Sequence, residues 1–349
     1  MKVTENVSLA PYTSLRVGGA AHKLIECSSY KEALETIQHL PQDEPFHILG
    51  FGSNSLISDK GLTGTTILWR EGEITHDGTT LIADAGAWWD DVVTYAIGQK
   101  LWGLELTSEI PSSVGGAVFG NIAAYGQQVS DTLLWVDVFN RRSSTVERLF
   151  KTDLSFSYRS SSLQATPHLL ILRVAFKLAR ARLHELRYES ALMVAGELDL
   201  SLENLDGIRK TIIETRRRAG SLYHFDDKDA QRTAGSFFKN PLVSLDQAKT
   251  LATYDESGKT LERILEQNSI HGGSSHRVSA AHVLLAAGFN RGQRWKNVRL
   301  HPDHVLKIET LPGASAQEVY EVTREIIVTV QEKLQITLQP EVRFLGNFS

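Results

Sequence analysis

The chain has few of the residues that cross-link a protein or anchor it in a membrane. Cys27 is the one cysteine among 349 residues, which excludes an intrachain disulfide and a zinc site built from several cysteines. Apolar runs such as LLILRVAF are far shorter than the roughly 20 residues that cross a bilayer, and the N-terminal stretch MKVTENVSLAPYTSL lacks the apolar run of a signal peptide. We therefore expect a cytoplasmic protein that does not insert into a membrane.

No charge of one sign dominates the sequence. Lysine and arginine total 37 against 41 aspartate and glutamate residues, a formal net charge of -4, so no basic field would attract nucleic acid. Proline is scarce as well, with nine residues and no proline-rich linker. Apolar residues make up 42% and charged residues 22%, as is typical of folded globular proteins. The length favours two or three domains.

Helical and strand-like patterns alternate along the chain. Apolar residues at helical spacing predict helices over about 29–40, 88–99, 206–218 and 315–334, the first and last with capping boxes, and a further helix capped by Ser279 and stopped by Gly288. Between them lie short strand-like segments such as PFHIL, TLLWVDVFNR and HLLILRVAFKLA. The pattern predicts an α+β architecture in at least two lobes, with a boundary near residues 218–232.

Two glycine-rich turns, GFGSNS at 50–55 and PSSVGGAVFGN at 111–121, are typical of loops that present backbone N–H groups to a phosphate. Neither is a Walker A motif, because no Gly-Lys-Ser/Thr follows, and Gly50 with Gly52 lacks the third glycine of a Rossmann fingerprint. From the residues alone, two readings stay open: two tight turns, or one nucleotide site that both turns serve.

Six segments, in order, resemble one family. These are TSLRVGGAA, ILGFGSNSLISD, IPSSVGGAVFGNIAAYG, FSYRSS, AGSFFKNP and LQPEVRFLG, spread over about residues 10–346. Together they resemble the flavoenzyme family of UDP-N-acetylenolpyruvoylglucosamine reductases, in the class with a tyrosine loop that closes over the substrate.

The resemblance implies an FAD-binding region of the vanillyl-alcohol-oxidase (PCMH) type and a C-terminal α+β substrate-binding domain. We expect FAD-binding subdomain 1 over 1–69, joined by 346–349, subdomain 2 with the tyrosine loop over 70–219, and the substrate-binding domain over 220–345. The implied reaction is reduction of UDP-N-acetylglucosamine enolpyruvate to UDP-N-acetylmuramate by NADPH through FAD, in peptidoglycan precursor synthesis. A monomer is expected.

The resemblance also assigns roles to residues. Flavin N5 would deliver a hydride to C3 of the substrate, Arg159 in SYRSS and Glu341 in PEVRF would stabilise the resulting enolate, and Ser236 in AGSFFKNP would protonate C2. Phe237 and Phe238 would exclude water. The expected FAD contacts are Gly50, Gly52, Ser53, Asn54, Ser55, Pro111, Ser112, Gly115, Gly116, Asn121, Ile122 and Ala123. The expected substrate contacts are Tyr125, Tyr158, Tyr188, Lys239, Asn240 and Arg343.

The sequence departs from the family pattern at three positions. Ser112 and Ala123 stand where family members commonly have glycine, and each would cost on the order of 1 kcal/mol if it had to adopt a positive φ. Ser221 stands where members often have a lysine that contacts the substrate diphosphate, so the charge would come from Arg217, Arg218 or Lys228.

These departures leave two alternatives to the reductase. One is a catalytically altered paralogue that binds flavin or a nucleotide sugar without this turnover, and the other is a flavin oxidase that shares only the FAD region. His301 and His304 in HPDH have the residue type of metal ligands, but no acidic or histidine cluster completes a shell, so we expect a structural role and no metal.

Overall fold

The computed structural model describes residues 1–223, 227, 231–254, 258–259, 261–262, 264 and 276–348. The helices in these residues are α1 (Tyr30–His39), α2 (Trp89–Gly98), α3 (Val114–Gly120), α4 (Val129–Thr132), α5 (Glu189–Glu197), α6 (Leu205–Arg218), α7 (Leu245–Ala252), α8 (Ala280–Ala286) and α9 (Ala316–Leu334). The strands are β1 (Lys2–Ser8), β2 (Ala20–Cys27), β3 (Phe46–Leu49), β4 (Ser55–Ile57), β5 (Leu62–Trp69), β6 (Ile74–Asp77), β7 (Thr80–Asp84), β8 (Ala123–Ala124), β9 (Gln127–Gln128), β10 (Leu133–Asn140), β11 (Thr145–Phe150), β12 (Phe156–Ser157), β13 (Ser160–Ser161), β14 (Leu169–Lys177), β15 (Thr233–Ser236), β16 (Leu242–Val243), β17 (His276–Arg277), β18 (Arg294–Trp295), β19 (Val298–Leu300), β20 (Lys307–Thr310) and β21 (Arg343–Leu345). In the same residues no helix is both long enough and apolar enough to cross a membrane.

The chain divides into two compact units. The first unit comprises Met1–Val7, Ala21–Gly52 and Leu62–Ala230, and the second comprises Ser8–Ala20, Ser53–Gly61 and Gln231–Ser349. Mixed helices and sheets in both units confirm the predicted α+β class. The finer division into 1–69, 70–219 and 220–345 stays a prediction.

The first unit contains two sheets. One has the order β1-β2-β5-β3, and β5 pairs in parallel with both β2 and β3. Strand β5 is buried over most of its length, as expected for a strand inside a parallel sheet. The other sheet has the order β11-β10-β14-β7-β6, all antiparallel, and α2 and α3 contribute to the core beside it.

The second unit is built around one antiparallel sheet with the order β15-β20-β19-β18. Its core includes Ile308 from β20, Val283 from α8 and the Val319 and Val330 side chains of α9. Strand β21, near the end of the chain, pairs in parallel with β4. This pairing places a segment around residue 55 beside the segment that follows residue 341.

The predicted helices are present, and α9 shows why. Ser315 accepts a hydrogen bond from the Glu318 amide at 3.1 Å, and the Glu318 carboxylate accepts one from the Ser315 amide at 2.9 Å. This reciprocal cap satisfies two donors that the first turn would otherwise leave unbonded. The predicted Ser279 cap is wrong in its detail. Helix α8 begins after Ser279, but its first amide, that of Ala280, donates to the side chain of Asn240 at 3.0 Å.

Helix α3 was not predicted, because its segment is rich in glycine, a poor helix former. Tertiary packing stabilises it instead, since Val114, Ala117 and Val118 are fully buried. A side chain at Gly115 would place a Cβ 3.0 Å from the Cβ of Ala85, so glycine permits the close approach of the helix to that neighbour.

Substituting Ser315→Ala should lower the free energy of unfolding by about 1 kcal/mol, because the first turn of α9 loses its cap. Urea titration of the flavin-loaded protein measures this change. The control is Glu332→Ala, an exposed position on the same helix, for which we expect a change within about 0.5 kcal/mol. Equal effects of the two substitutions would contradict the capping account.

Candidate functional site

The two glycine-rich turns meet in the first unit. A Cβ built at Gly50 would lie 2.7 Å from Oγ of Ser113, so the first turn contacts the start of the second only because residue 50 is glycine. Ser113 also caps α3 by accepting a hydrogen bond from the Gly116 amide at 3.1 Å. The Ser113 atoms nearest to that Cβ are its side-chain Oγ and Cβ, so the two turns meet through this side chain.

The N–H groups of the second turn are not all available to a ligand. Gly115 donates its amide to the Ala85 carbonyl at 2.9 Å, and Gly116 donates to Ser113. The expectation of successive exposed N–H groups is wrong for these two residues. Their glycine character serves close packing, because a Cβ at Gly116 would lie 3.0 Å from Oγ of Ser112.

The substitutions at Ser112 and Ala123 do not strain the backbone. Among non-glycine residues near them, Asn121 (φ 43°) and Tyr125 (φ 51°) occupy the left-handed region, whereas Ser112 and Ala123 do not. Asparagine tolerates this conformation better than most residues do. Asn121 is further held by its side chain, which donates to the Ser157 carbonyl at 3.1 Å. The conditional cost of about 1 kcal/mol therefore does not arise at either position.

Arg159 lies at the tip of a tight hairpin in the first unit. Ser157 and Ser160 pair across β12 and β13, which leaves Tyr158 and Arg159 as the two turn residues. Arg159 has a φ of 53°, a conformation that favours glycine at this place in a turn. Such strain in a non-glycine residue is often found at functional sites. The Gln164 side chain donates to the Arg159 carbonyl at 3.4 Å and helps to hold the turn.

Tyr125 and Tyr188 lie together in the first unit. Their rings meet edge to face with centroids 5.4 Å apart, and Tyr188 precedes α5 with about half of its surface exposed. Burial raises the pKa of Tyr125, and the nearby Arg216 guanidinium partly opposes that shift. Tyr188 therefore lies against Tyr125, which follows the second glycine-rich turn, and the loop that closes over the substrate stays a prediction.

Arg216 was missed by sequence analysis, which considered Arg217, Arg218 and Lys228. Arg217 and Arg218 both donate to the Glu214 carboxylate, at 2.7 and 2.8 Å, and lower the pKa of Glu214 to about 2. Lys228 lies outside the described residues. Arg216 instead donates to the Ser221 carbonyl at 2.8 Å, and its buried Nε has no hydrogen-bond partner.

Ser236 and Glu341 are brought together in the second unit. Ser236 ends β15, and the carbonyl of the next residue, Phe237, accepts a hydrogen bond from the Glu341 amide at 2.8 Å. Gly235 has a φ of 73°, and a Cβ built there would meet nothing within 4 Å. The backbone before Ser236 is therefore open on that side, as a closely approaching ligand requires.

The residues after Ser236 have structural roles that the sequence did not reveal. Phe237 and Phe238 are at most 1% exposed and lie in the hydrophobic core of the second unit, where they anchor the strand end. That they exclude water from the reacting atoms stays a prediction. The Asn240 side-chain oxygen accepts from the Ala280 amide, and the Lys239 amide donates to the Gln339 carbonyl at 2.9 Å.

Four predicted residues meet where β4 pairs with β21. Arg343 is the register partner of Ser55, and the Arg343 amide donates to the Asn54 carbonyl at 3.0 Å. The Asn54 side chain donates to the Glu341 carbonyl at 3.3 Å. Ser53–Ser55 thus belong to the second unit, whereas Gly50 and Gly52 belong to the first.

His301 and His304 form a turn. The His301 Nδ1 accepts from the Asp303 amide at 3.1 Å, and the His304 Nδ1 accepts from the Leu306 amide at 3.2 Å. Burial, with the positive charge of Lys307 as a further cause, lowers the pKa of His304 to about 4. No cluster of three metal-binding side chains occurs in the part of the chain that the structure describes.

Comparison with known proteins identifies both regions. Residues 227–345 match the model of the UDP-N-acetylenolpyruvoylglucosamine reductase C-terminal domain, and residues 21–149 match that of an FAD binding domain. A UDP-N-acetylenolpyruvoylglucosamine reductase of Mycobacterium leprae is 33% identical over 365 residues, covering 99% of this chain and 95% of the relative. A reductase of the same name from Streptomyces coelicolor is 31% identical over 343 residues, covering 97% and 89%.

A solved structure gives the same result. The crystal structure of the reductase from Thermus caldophilus superposes with a TM-score of 0.66 at 25% identity, covering 99% of this chain and all of that one. The match to an FAD binding domain includes both glycine-rich turns. The individual FAD contacts expected at these turns stay a prediction.

Substituting Gly50→Ala should weaken FAD binding by about tenfold, because the added Cβ displaces Ser113 from its cap on α3. Flavin release during equilibrium dialysis measures the dissociation constant. Gly98→Ala is the control, since a Cβ at this position meets nothing within 4 Å. Unchanged FAD affinity in Gly50→Ala would contradict the role of this turn.

Proposed function

Because this chain belongs to the UDP-N-acetylenolpyruvoylglucosamine reductase family, we propose that Ser236, Glu341 and Arg159 perform its proton transfer and stabilise the charge that develops on the substrate. The observation that carries the proposal is the hydrogen bond between the Phe237 carbonyl and the Glu341 amide, which holds Ser236 and Glu341 in one place. The family resemblance seen in six sequence motifs is confirmed by relatives that match the full chain.

The protein is an FAD-dependent oxidoreductase that uses NADPH to reduce UDP-N-acetylglucosamine enolpyruvate to UDP-N-acetylmuramate, in the synthesis of peptidoglycan precursors. Its substrate is a small nucleotide sugar. FAD, when bound and reduced, supplies the hydride that reaches C3 of the enolpyruvyl group. The protein must then stabilise one negative charge and supply one proton.

Negative charge develops on the substrate carboxylate as an enolate. Arg159 is a permanent cation, and the strained turn that carries it limits its conformations. Glu341 would be the acidic partner near the same substrate carboxylate. A single oriented donor at a developing oxyanion contributes about 10² to 10³ in rate, so the loss of Arg159 would be felt mainly in turnover.

The enolate next takes a proton at C2. Ser236 is exposed at the end of β15, beside the open backbone of Gly235, so its hydroxyl is available to a substrate. A hydroxyl is a weak acid, but an enolate is a strong enough base to accept its proton. In this scheme the C2–H bond forms as the Ser236 O–H bond breaks.

The substrate diphosphate needs a positive partner in place of the lysine that Ser221 lacks. Arg217 and Arg218 are already paired with Glu214, whereas Arg216 lies beside Tyr125 and retains an unbonded Nε. We assign the diphosphate contact to Arg216, with Tyr188 covering the ligand. Phosphate oxygens would accept a hydrogen bond from the buried Arg216 Nε. A buried donor that is left unbonded costs free energy, and a charged donor costs more than a neutral one.

Of the three departures that motivated a non-catalytic paralogue, Ser112 and Ala123 carry little weight because neither has a positive φ. The third, Ser221, is answered in this proposal by Arg216. We retain the expectation of a monomer. We also propose that the enzyme acts in the cytoplasm, because NADPH and nucleotide sugars are available there.

Substituting Ser236→Ala should separate the two half-reactions. NADPH should still reduce the flavin at a normal rate, whereas reoxidation by UDP-N-acetylglucosamine enolpyruvate should slow by about 10² to 10⁴, because the general acid is lost. Anaerobic stopped-flow absorbance follows both steps. Ser279→Ala is the control, since that side chain makes no cap bond. Full-rate reoxidation in Ser236→Ala would refute its role, and a wild-type flavin that stays reduced would refute the reaction itself.

Substituting Arg216→Met should raise KM for the nucleotide sugar at least tenfold with a smaller change in kcat, because a ground-state contact to the diphosphate is removed. Steady-state kinetics measures both constants. Arg217→Met removes a neighbouring arginine that is paired with Glu214 and should leave KM within about twofold. Equal KM values in the two variants would exclude Arg216 as the diphosphate contact.

A further inference from the structure

The sheet of the second unit has a polar face as well as a core face. Along β20, Ile308 enters the hydrophobic core, whereas Lys307 and Glu309 alternate with it and therefore point to the opposite side. Both charged residues are nevertheless buried, with Lys307 only 2% exposed. Glu309 pairs with Arg299 of the neighbouring strand at 2.6 Å. Charged groups are rarely buried without a reason that offsets their desolvation.

Lys307 is the direct cross-strand partner of Ser236. The Phe237 amide donates to the Leu306 carbonyl at 2.9 Å, while the backbone of Lys307 bonds elsewhere, to the His304 carbonyl and the His301 amide. This pattern identifies Ser236 and Lys307 as a non-hydrogen-bonded antiparallel pair. In such pairs the side chains lie on the same face, with Cβ atoms about 4.5 to 5.5 Å apart.

A serine that gives up its proton becomes an alkoxide, and a fixed cation nearby stabilises that charge. We propose that Lys307 is a positioning residue for the reaction, whose ammonium group stabilises the Ser236 oxygen as its proton passes to C2 of the substrate. The alkoxide then regains a proton from solvent, so Lys307 keeps its own. This inference rests on the proposed function of Ser236. Burial is the largest cause of the lowered pKa of His301 and of His304, and the positive charge of Lys307 is a further cause in both.

A thiol in place of the hydroxyl tests the pair without turnover. In Ser236→Cys, the Lys307 ammonium should lower the thiol pKa by about one unit from its ordinary value near 8.5, because an opposite charge at this distance favours the thiolate. The rate of alkylation by iodoacetamide as a function of pH gives this pKa. Cys27 is buried, and the wild-type protein measures its background. Among the described residues, the charged and titratable groups around the pair include Arg291, Arg299, His301, Asp303, His304, Glu309 and Glu341. They are the same in every variant compared.

Adding Lys307→Met to Ser236→Cys should return the thiol pKa to about 8.5 or above, whereas adding Lys307→Arg should keep it low. Lys333→Met is the matched control. Lys333 lies in α9 and donates to the Ala287 carbonyl, so its replacement should leave the thiol pKa unchanged. An identical pKa with Lys307 and with methionine would overturn the proposal. So would a shift of equal size in the Lys333→Met control.

Kinetics then tests whether the pair acts in proton delivery. Lys307→Met should slow flavin reoxidation by the nucleotide sugar at least tenfold while NADPH still reduces the flavin normally, and it should slow Ser236→Ala little further, because the two residues act through one oxygen. The flavin absorbance spectrum checks that each variant is folded, and Lys307→Arg should recover most of the rate. If Lys307→Met slowed flavin reoxidation by the same factor in the wild type and in Ser236→Ala, the role of Lys307 in proton delivery would be overturned. A wild-type enzyme that fails to reoxidise would refute the proposed function instead, while the thiol pKa would still report on the pair.

Discussion

Backbone hydrogen bonds on both sides hold the end of strand β15, and the candidate chemistry of the second unit depends on them. On one side its end bonds to Leu306, which brings Lys307 opposite Ser236, and on the other the Phe237 carbonyl holds the Glu341 amide. Backbone hydrogen bonds, not side-chain packing, therefore set the distances among these three residues. Phe237 and Phe238, which follow the strand, are buried in the core and anchor its end.

Glycine contributes at two positions where no other residue would serve as well. At Gly50 it permits one turn to touch another, and at Gly235 it supplies a positive φ and an open backbone beside the serine. Two departures from the family pattern, Ser112 and Ala123, are tolerated for a physical reason. Asn121 and Tyr125 adopt the left-handed conformation on either side of Ala123, so alanine itself is not strained.

The sequence predicts what depends on local pattern and fails where tertiary structure decides. Helix α9 was predictable from its capping box and apolar stripe, whereas α3 was not, because packing overrides the poor helix propensity of its glycines. Motif resemblance named Ser236 and Glu341 but could not show the hydrogen bond that joins them. It also missed Arg216 and Lys307, since a charged residue in a helix or a strand gives no sign of being buried until the fold is known.

The central claim is that a protein group delivers the proton to C2 of the substrate on one face. Running the wild-type reaction in D₂O and analysing the lactyl group of UDP-N-acetylmuramate by NMR measures this directly. The account predicts deuterium at C2 in a single configuration, because an exchangeable Ser236 hydroxyl at a fixed position is the donor. A product with both configurations at C2 would contradict it, since that outcome requires protonation by water without control from the protein.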